Sequence, residues 1–256
     1  DYSRRKIFPL PTPEETIHFE IPVEERSDES RPPKDDIAEP PSEWRPEMYV
    51  MIDHVIHDYF NGNKYLQIRY IIRLMNIVNA IFKTARKPRI NLQLVGIGRF
   101  RTKKDEYFVV EEDNIVSAQE SLNAFGQFTK NTTFARSADF YFMLVGRRLG
   151  RRNKKTNKLS HDLYGIAKGG MVCVKGLNVG MSEERPPLFY MFATIAHEIG
   201  HLLGSTHDGW GPMGHIKDHP GALACKLPEK YIMKTAGHRG PPFTFSNCSE
   251  DQMQFV

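Results

Sequence analysis

The chain has 256 residues, of which 40% are apolar, and a formal net charge of +4. This length suits one globular domain with a tail. No apolar run reaches about 18 residues, so we predict no transmembrane helix. No apolar run follows Asp1 to Lys6, so any signal peptide is expected to precede this numbering. The pI near 8.9 indicates general attraction to polyanions, whereas no motif points to a specific nucleic-acid partner.

The first 42 residues differ in composition from the rest of the chain. They hold eight of the 17 prolines, eleven acidic residues and six basic ones, a charge of −5, so the remaining residues carry +9. Few apolar residues recur there with any period, as in a linker or an extended arm. We predict an acidic, proline-rich arm at residues 1–45. It is either a disordered tail or the trailing part of a propeptide that lies over a basic domain at residues 46–256.

After the arm, apolar periodicity predicts alternating strands and helices. Residues 47–60 are rich in β-forming residues and predict a strand, and residues 64–86 have a helical period that Pro88 closes. A strand, a helix and a buried strand are predicted next, at residues 90–98, 117–130 and 140–145. This order predicts an α/β fold whose upper part is a mixed twisted sheet with flanking helices.

A basic run follows the last of these strands. Residues 147–158 contain seven cationic side chains: Arg147, Arg148, Arg151, Arg152, Lys154, Lys155 and Lys158. One interpretation is a solvated loop between two strands. The alternative is a surface that contacts an acidic substrate or a heparin-like polymer.

Residues 188–203 predict a helix that is apolar on almost every face, which is typical of a helix buried in a core. Pro186-Pro187 mark a boundary before it, and a smaller, irregular lower part is expected after it. Burying two histidines and a glutamate on such a helix without partners would be costly. A bound metal ion resolves that cost.

The helix ends in the pattern His-Glu-x-x-His-x-x-Gly-x-x-His-Asp, which begins at His197. His197 and His201 are four apart and therefore share one helix face. Gly204 can adopt a left-handed conformation and turn the chain back, so that His207 reaches the same ion. Three histidines leave a fourth position of a tetrahedral zinc ion for water, whose proton Glu198 can accept. The spacing therefore predicts one catalytic zinc ion.

These residues resemble the signature of the metzincin zinc endopeptidases. An aspartate directly after the third histidine, here Asp208, resembles the pattern of the reprolysin branch. Members of this branch are also called adamalysins or ADAM-type proteases. Three further segments resemble that branch: residues 165–173 before the helix, Tyr231-Ile232-Met233 as the Met-turn, and residues 245–249 after it. Within the branch, the spacing from Pro220 to the Met-turn resembles the salivary metalloproteases of ticks.

The resemblance implies roles for several residues. Ile166, Lys168 and Gly169 would belong to a strand that pairs with substrate, and Met233 would form an apolar floor beneath the zinc ligands. Asp208 would make hydrogen bonds near the base of the zinc helix without binding the metal.

The resemblance also pairs Cys225 with Cys248 and leaves Cys173 for a partner beyond Val256. Residues 46–256 would then be a catalytic domain truncated at its C-terminus. The rival is a Cys173–Cys248 bridge that leaves Cys225 free.

The function implied is that of a secreted zinc endopeptidase acting on protein substrates, such as extracellular-matrix or plasma proteins. Two alternatives stay open at this point. One is a non-catalytic toxin or integrin ligand on a metalloprotease scaffold, and the other is a zinc hydrolase with a non-protein substrate. An intact Glu198 argues against the first alternative, and the Met-turn argues against the second.

Overall fold

The computed structural model describes residues 17–20, 43–110, 114–131, 138–153, 155–225, 231–235 and 243–256. The strands are β1 (Ile17–Glu20), β2 (Glu43–Trp44), β3 (Glu47–Ile52), β4 (Arg89–Ile90), β5 (Gln93–Arg99), β6 (Val116–Ser117), β7 (Phe140–Val145), β8 (Leu149–Arg152), β9 (Leu159–Leu163), β10 (Gly165–Ala167) and β11 (Val179–Glu183). The helices are α1 (His54–Tyr59), α2 (Lys64–Phe82), α3 (Ala118–Asn131), α4 (Phe192–Leu202) and α5 (Asn247–Met253).

A six-stranded sheet, in the order β1-β5-β3-β7-β11-β10, forms the centre of the molecule. Strands β5, β3, β7 and β11 are parallel, and the two outer strands, β1 and β10, run antiparallel to their neighbours. The register sets Val50 of β3 between Ile97 of β5 and Phe142 of β7. This mixed sheet confirms the predicted α/β class.

The two faces of the sheet are covered by different helices. Alternate residues of β3 and β7 point into two separate apolar clusters, one shared with α2 and α4 and the other with α3. All six residues of β7 are buried. A continuous apolar run of this kind is typical of a parallel strand that is covered on both faces. The zinc-motif helix α4 therefore lies against the sheet beside α2.

The prediction of one strand over residues 47–60 was wrong in its second half. Strand β3 ends at Ile52, and the Asp53 carboxylate accepts a hydrogen bond from the Ile56 backbone N–H at 3.0 Å, which caps α1. An aspartate at this position satisfies a donor that the helix leaves free. The β-forming residues after it are helical because the cap and the burial of Ile56 outweigh their propensity.

The other predicted elements are present, and all but the strand at residues 140–145 have shifted ends. Helix α2 ends at Phe82, before the predicted end at residue 86, and the strand predicted at residues 90–98 divides into β4 and β5. The helix predicted at 117–130 is α3, and the buried strand predicted at 140–145 is β7.

The arm contributes a strand that the sequence analysis did not predict. Strand β1 pairs with β5, with Ile17 opposite Arg99 and Glu20 opposite Gly96. Because only four residues form this strand, it could not be recognised within the charged, proline-rich composition of the arm. The rest of the arm up to residue 42 lies outside the described residues.

The basic run forms most of a hairpin in a second sheet, of order β6-β8-β9. Including Arg147 in an exposed run was wrong, because only 5% of this residue is exposed. Its guanidinium contacts the carboxylates of Glu106 at 2.6 Å and Asp53 at 3.4 Å, and it lies 5.0 Å from the centre of the Phe108 ring. Arg147 is therefore part of the core.

Among the described residues, no helix is both long enough and apolar enough to cross a membrane.

Candidate metal centre and cleft

Helix α4 brings the first half of the histidine motif into the core. It packs against α2 and against β10 and β11, and both His197 and Glu198 are buried. The helix starts at Phe192 and not at residue 188 as predicted. Phe189 has a φ of 53°, which a right-handed helix does not allow, so the helix begins only after Met191.

Gly204 turns the chain back towards the helix, as the sequence predicted. Its φ is 95°, a conformation that side chains with a Cβ rarely adopt. The Gly204 N–H donates to the His201 carbonyl at 3.0 Å, and the Ser205 N–H donates to the Gly200 carbonyl at 2.9 Å. A Cβ at Gly204 would lie 2.3 Å from Cγ2 of Val256. Glycine thus permits both the turn and the close approach of the C-terminal residues.

The three histidines converge through their Nε2 atoms. Nε2 of His207 lies 3.1 Å from Nε2 of His197 and 3.2 Å from Nε2 of His201. Three nitrogens at about 2.0–2.1 Å from a tetrahedral zinc ion would stand about 3.3 Å apart. In the described part of the chain, these three residues are the one group of three or more side chains arranged to hold a metal ion.

The other ring nitrogens explain why this arrangement calls for a cation. Nδ1 of His197 lies 2.7 Å from the Ile232 carbonyl oxygen, and Nδ1 of His201 lies 2.6 Å from the Ser205 carbonyl oxygen. A carbonyl oxygen only accepts, so each Nδ1 carries the proton and each Nε2 presents a lone pair. Lone pairs that face one another repel, and a zinc ion between them removes the repulsion. The residues therefore fit zinc.

The local environment keeps His201 and His207 neutral, the form that binds metal. Burial, followed by repulsion from His207, lowers the pKa of His201 to about 4. Burial also lowers the pKa of His207. Near neutral pH both rings are available as ligands.

Glu198 lies beside the three histidines but outside the ligand group. Burial raises the pKa of its carboxyl group to about 8. It faces Gly165 of β10, where a Cβ would lie 2.6 Å from Cγ and 2.8 Å from Oε1 of Glu198. Gly165 begins the segment at residues 165–173 that resembles the reprolysins, but nothing in the sequence predicts its contact with Glu198. No local pattern reveals it, because the two residues meet only in the folded sheet.

Met233, which the resemblance places beneath the zinc ligands, packs against the helix that carries His197 and His201. It is fully buried, and a Cβ on Gly200 would lie 2.7 Å from its Sδ and 3.1 Å from Cε1 of Phe245. The glycine between the two helical histidines therefore leaves room for the methionine. The neighbouring residue, Ile232, supplies the carbonyl oxygen that orients His197.

Asp208 is fully buried behind the histidines. Its backbone N–H donates to the Met233 carbonyl at 2.8 Å, and its carboxylate accepts a hydrogen bond from the Ser246 hydroxyl at 2.6 Å. Ser246 caps α5. Asp208 thus links the end of the histidine motif to the Met-turn and to the last helix.

A cleft of about 350 Å³ opens over the histidines. Its walls include the segment from Asp162 to Ala167, Thr194 of α4, and Lys234 and Thr235 after the Met-turn. Strand β10 is the edge of the six-stranded sheet on this side. Residues 236–242, which follow Thr235, lie outside the described residues.

The three residues predicted for substrate pairing lie at this edge. Ile166 lines the cleft. The Lys168 backbone N–H donates to the Val179 carbonyl at 3.1 Å, and its ammonium group donates to Oδ1 of Asn123 at 2.7 Å. The Gly169 carbonyl lies 3.0 Å from Nε2 of His215. Only Ile166 therefore contributes to the cleft wall, and the other two attach the end of β10 to the domain.

The cysteines are arranged as the resemblance implied. Cys225 and Cys248 form a disulfide, with their Cα atoms 6.1 Å apart. Cys173 is a free thiol, 3.5 Å from Oδ1 of Asp139. The rival Cys173–Cys248 bridge is absent. The disulfide ties the loop before the Met-turn to the start of α5.

Comparison with known proteins identifies the relatives of this chain. The sequence profile described as "Metallo-peptidase family M12B Reprolysin-like" matches residues 68–208, more than half of the chain. An antarease-like venom metalloproteinase of Tityus trivittatus is 27% identical over 222 residues, which cover 82% of this chain and 54% of the relative. A second, of Tityus serrulatus, is 25% identical over 220 residues, which cover 82% of this chain and 91% of that protein.

A protein of Bombyx mori described as "a disintegrin and metalloproteinase with thrombospondin motifs like" is 28% identical over 214 residues. The match covers 80% of this chain and 30% of that protein. The chain therefore spans about half of the first relative and less than a third of this one.

Proposed function

Because this chain belongs to the reprolysin-like M12B metallopeptidases, whose metal is zinc, we propose that it hydrolyses internal peptide bonds of proteins outside the cell. One observation carries the proposal. Three Nε2 atoms, two of them fixed as lone-pair donors by backbone carbonyls, converge beside a buried carboxyl group at the base of an open cleft. A metal site that served only the fold would be closed by a fourth protein ligand.

His197, His201 and His207 would hold the zinc ion. When bound, zinc supplies Lewis acidity: it polarises a carbonyl group, lowers the pKa of a water molecule and opposes the rise in the pKa of Glu198. The chain's own contribution to the chemistry is Glu198. Its carboxylate takes a proton from the attacking water and delivers it to the nitrogen of the leaving amine as the C–N bond breaks.

Strand β10 would position the substrate. An edge strand presents unpaired backbone groups, and an extended peptide can add to it as a further strand. Gly165 and Ile166 line the cleft next to Glu198, so a peptide on this edge would pass over the histidines. Backbone pairing fixes the direction of the peptide but discriminates little between side chains. We therefore expect internal bonds of extended or unfolded protein segments to be cleaved.

The extracellular setting rests on two supports. The Cys225–Cys248 disulfide belongs to oxidising compartments, and two of the relatives are named venom metalloproteinases. The resemblance to reprolysins implies matrix or plasma proteins as substrates.

A panel of internally quenched peptides, together with denatured matrix and plasma proteins, tests this function. We expect cleavage inside the peptides, its loss on addition of a chelator, and its recovery when zinc is restored. Zinc binding without cleavage of any peptide would contradict the proposal and support a non-catalytic binding protein. Cleavage that survives complete removal of the metal would contradict it as well.

A further inference from the structure

The hairpin formed by β8 and β9 carries cations that the proposed chemistry does not use. We call the described residues 148–153 and 155–161 the basic hairpin. Strand β8 pairs antiparallel with β9, with Arg151 opposite Ser160 and Arg152 opposite Leu159. The Asn153 N–H donates to the Lys158 carbonyl at 2.9 Å. This register puts Arg151 and Lys158 on one face of the hairpin, diagonally across the two strands.

The tip of the basic hairpin is held by its own hydrogen bonds. The Asn153 side chain accepts from the backbone N–H groups of Lys155 and Thr156 at 2.9 and 3.1 Å. The Asn157 N–H donates to the Asn153 carbonyl at 2.8 Å, and the Arg152 guanidinium donates to the Asn157 carbonyl at 2.8 Å. These hydrogen bonds join Arg152 and Asn153 to the described residues on the other side of the tip, Lys155 to Lys158.

Three cations of this hairpin have no counterion among the residues that the structure describes. The side chains of Arg151, Lys155 and Lys158 are exposed and make no ion pair or hydrogen bond with the described residues. Arg147, at the base of the same run, shows the opposite arrangement, since two buried carboxylates contact it. Within the run, Arg147 therefore stabilises the core, whereas the side chains of Arg151, Lys155 and Lys158 extend into solvent.

We propose that the basic hairpin binds a sulfated polysaccharide of the glycosaminoglycan class. Protein interfaces have an apolar core, and the one fully buried leucine of this segment, Leu149, points inward. Single-stranded nucleic acid binds by stacking of its bases on aromatic side chains, and residues 148–162 contain no Phe, Tyr or Trp. An array of unpaired cations without apolar or aromatic neighbours matches a linear polyanion whose charges lie on its outside.

The basic hairpin leads directly into the segment that lines the cleft. Strand β9 continues through Tyr164 into β10, and Asp162, Leu163 and Tyr164 line the cleft. A polysaccharide on the basic hairpin would hold the domain on the matrix with the cleft facing proteins attached to the same polymer. Cleavage of short soluble peptides would not depend on it.

The test is binding of a fluorescent heparin oligosaccharide at increasing NaCl concentrations. The test variant is Arg151→Gln, Lys155→Gln, Lys158→Gln. The matched control removes three exposed cations elsewhere, Arg69→Gln and Arg73→Gln on α2 and Lys103→Gln after β5. At about 0.1 M NaCl we expect the hairpin variant to bind at least about tenfold more weakly, with a smaller salt dependence, and the control to stay within about threefold of the wild type. Both variants should cleave a short neutral peptide at the wild-type rate, which checks that they fold.

Three results would overturn the proposal. Wild-type protein that does not bind heparin at this salt concentration has no such site. Equal weakening in the control would assign the attraction to net charge alone. Single-stranded DNA or an acidic peptide of equal charge that binds as tightly, and in the same hairpin-dependent way, would assign the surface to a different class of partner.

Discussion

Two residues orient the zinc ligands through backbone oxygens, and their side chains play no part. The carbonyls of Ile232 and Ser205 fix the ring orientations of His197 and His201. Hydrogen bonds of this kind commonly fix the tautomer of a metal-binding histidine. The sequence motif predicts the three ligands because their spacing is local, but any residue has a carbonyl, so no residue type signals these two partners.

Gly200 is the residue whose substitution tests the floor of the site. Alanine normally favours a helix over glycine by about 1 kcal/mol. Here the added Cβ would lie 2.7 Å from Sδ of Met233, and displacing a fully buried side chain commonly costs about 1–3 kcal/mol. We therefore expect Gly200→Ala to lower the unfolding temperature and to weaken zinc affinity, because Met233 follows the residue that orients His197. Thermal unfolding and a zinc titration measure the two effects.

Gly214→Ala is the matched control, since nothing lies within 4 Å of a Cβ at Gly214. It should leave both quantities unchanged. A Gly200→Ala protein as stable and as tightly zinc-bound as the wild type would show that Met233 moves aside freely.

At the level of elements, the junction of β3, α1 and β8 has one excess negative charge inside the protein. Asp53 and Glu106 are both buried and share one guanidinium, that of Arg147. Glu106 also accepts from the backbone and the ring of His54, at 2.8 and 2.6 Å. Burial, and then repulsion from Glu106, raises the pKa of Asp53 from 3.8 to about 6.

The raised pKa of Asp53 determines whether the stability of the protein rises or falls with pH. The stability that Asp53 contributes is fully present below its unfolded pKa of 3.8 and is lost as pH rises through about 6. Asn in its place has no proton to lose and can still cap α1. The unfolding free energy of Asp53→Asn, minus that of the wild type, should therefore rise between about pH 4 and pH 7, by up to about 3 kcal/mol.

Denaturant unfolding at both pH values measures this difference. Asp58→Asn, at an exposed position of the same helix, should give a constant difference. A difference for Asp53→Asn that stays flat or falls with pH would mean that Arg147 offsets the cost of burying the Asp53 carboxylate.

The elements that were predicted well from the sequence are those whose pattern lies entirely within their own residues. The uninterrupted apolar run of β7 and the helical period of α2 depend only on the residues within each element. The strand assigned to residues 47–60 failed because an aspartate cap outweighed β propensity at its midpoint. The burial of Arg147 could not be predicted, since its partners Asp53 and Glu106 are distant in sequence and its cationic neighbours are exposed.

At the level of the whole molecule, the arm strand and the cleft lie at opposite edges of one sheet. Strands β1 and β10 are separated by five strand-to-strand steps, which at about 4.8 Å each is about 24 Å. The segment Ile17–Glu20 therefore does not occupy the cleft. The acidic arm and the basic domain remain complementary in charge, −5 against +9.

If three histidines bind zinc while Glu198 moves the proton, the Glu198→Gln variant should separate zinc binding from turnover. Zinc content and peptide turnover are measured on the same sample, with His207→Ala as the comparison. We expect Glu198→Gln to retain one zinc per chain and to lose about 10²–10⁴-fold in turnover, because only the base is removed. His207→Ala should lose zinc and activity together. Near-normal turnover in Glu198→Gln, or full zinc content in His207→Ala, would contradict the account.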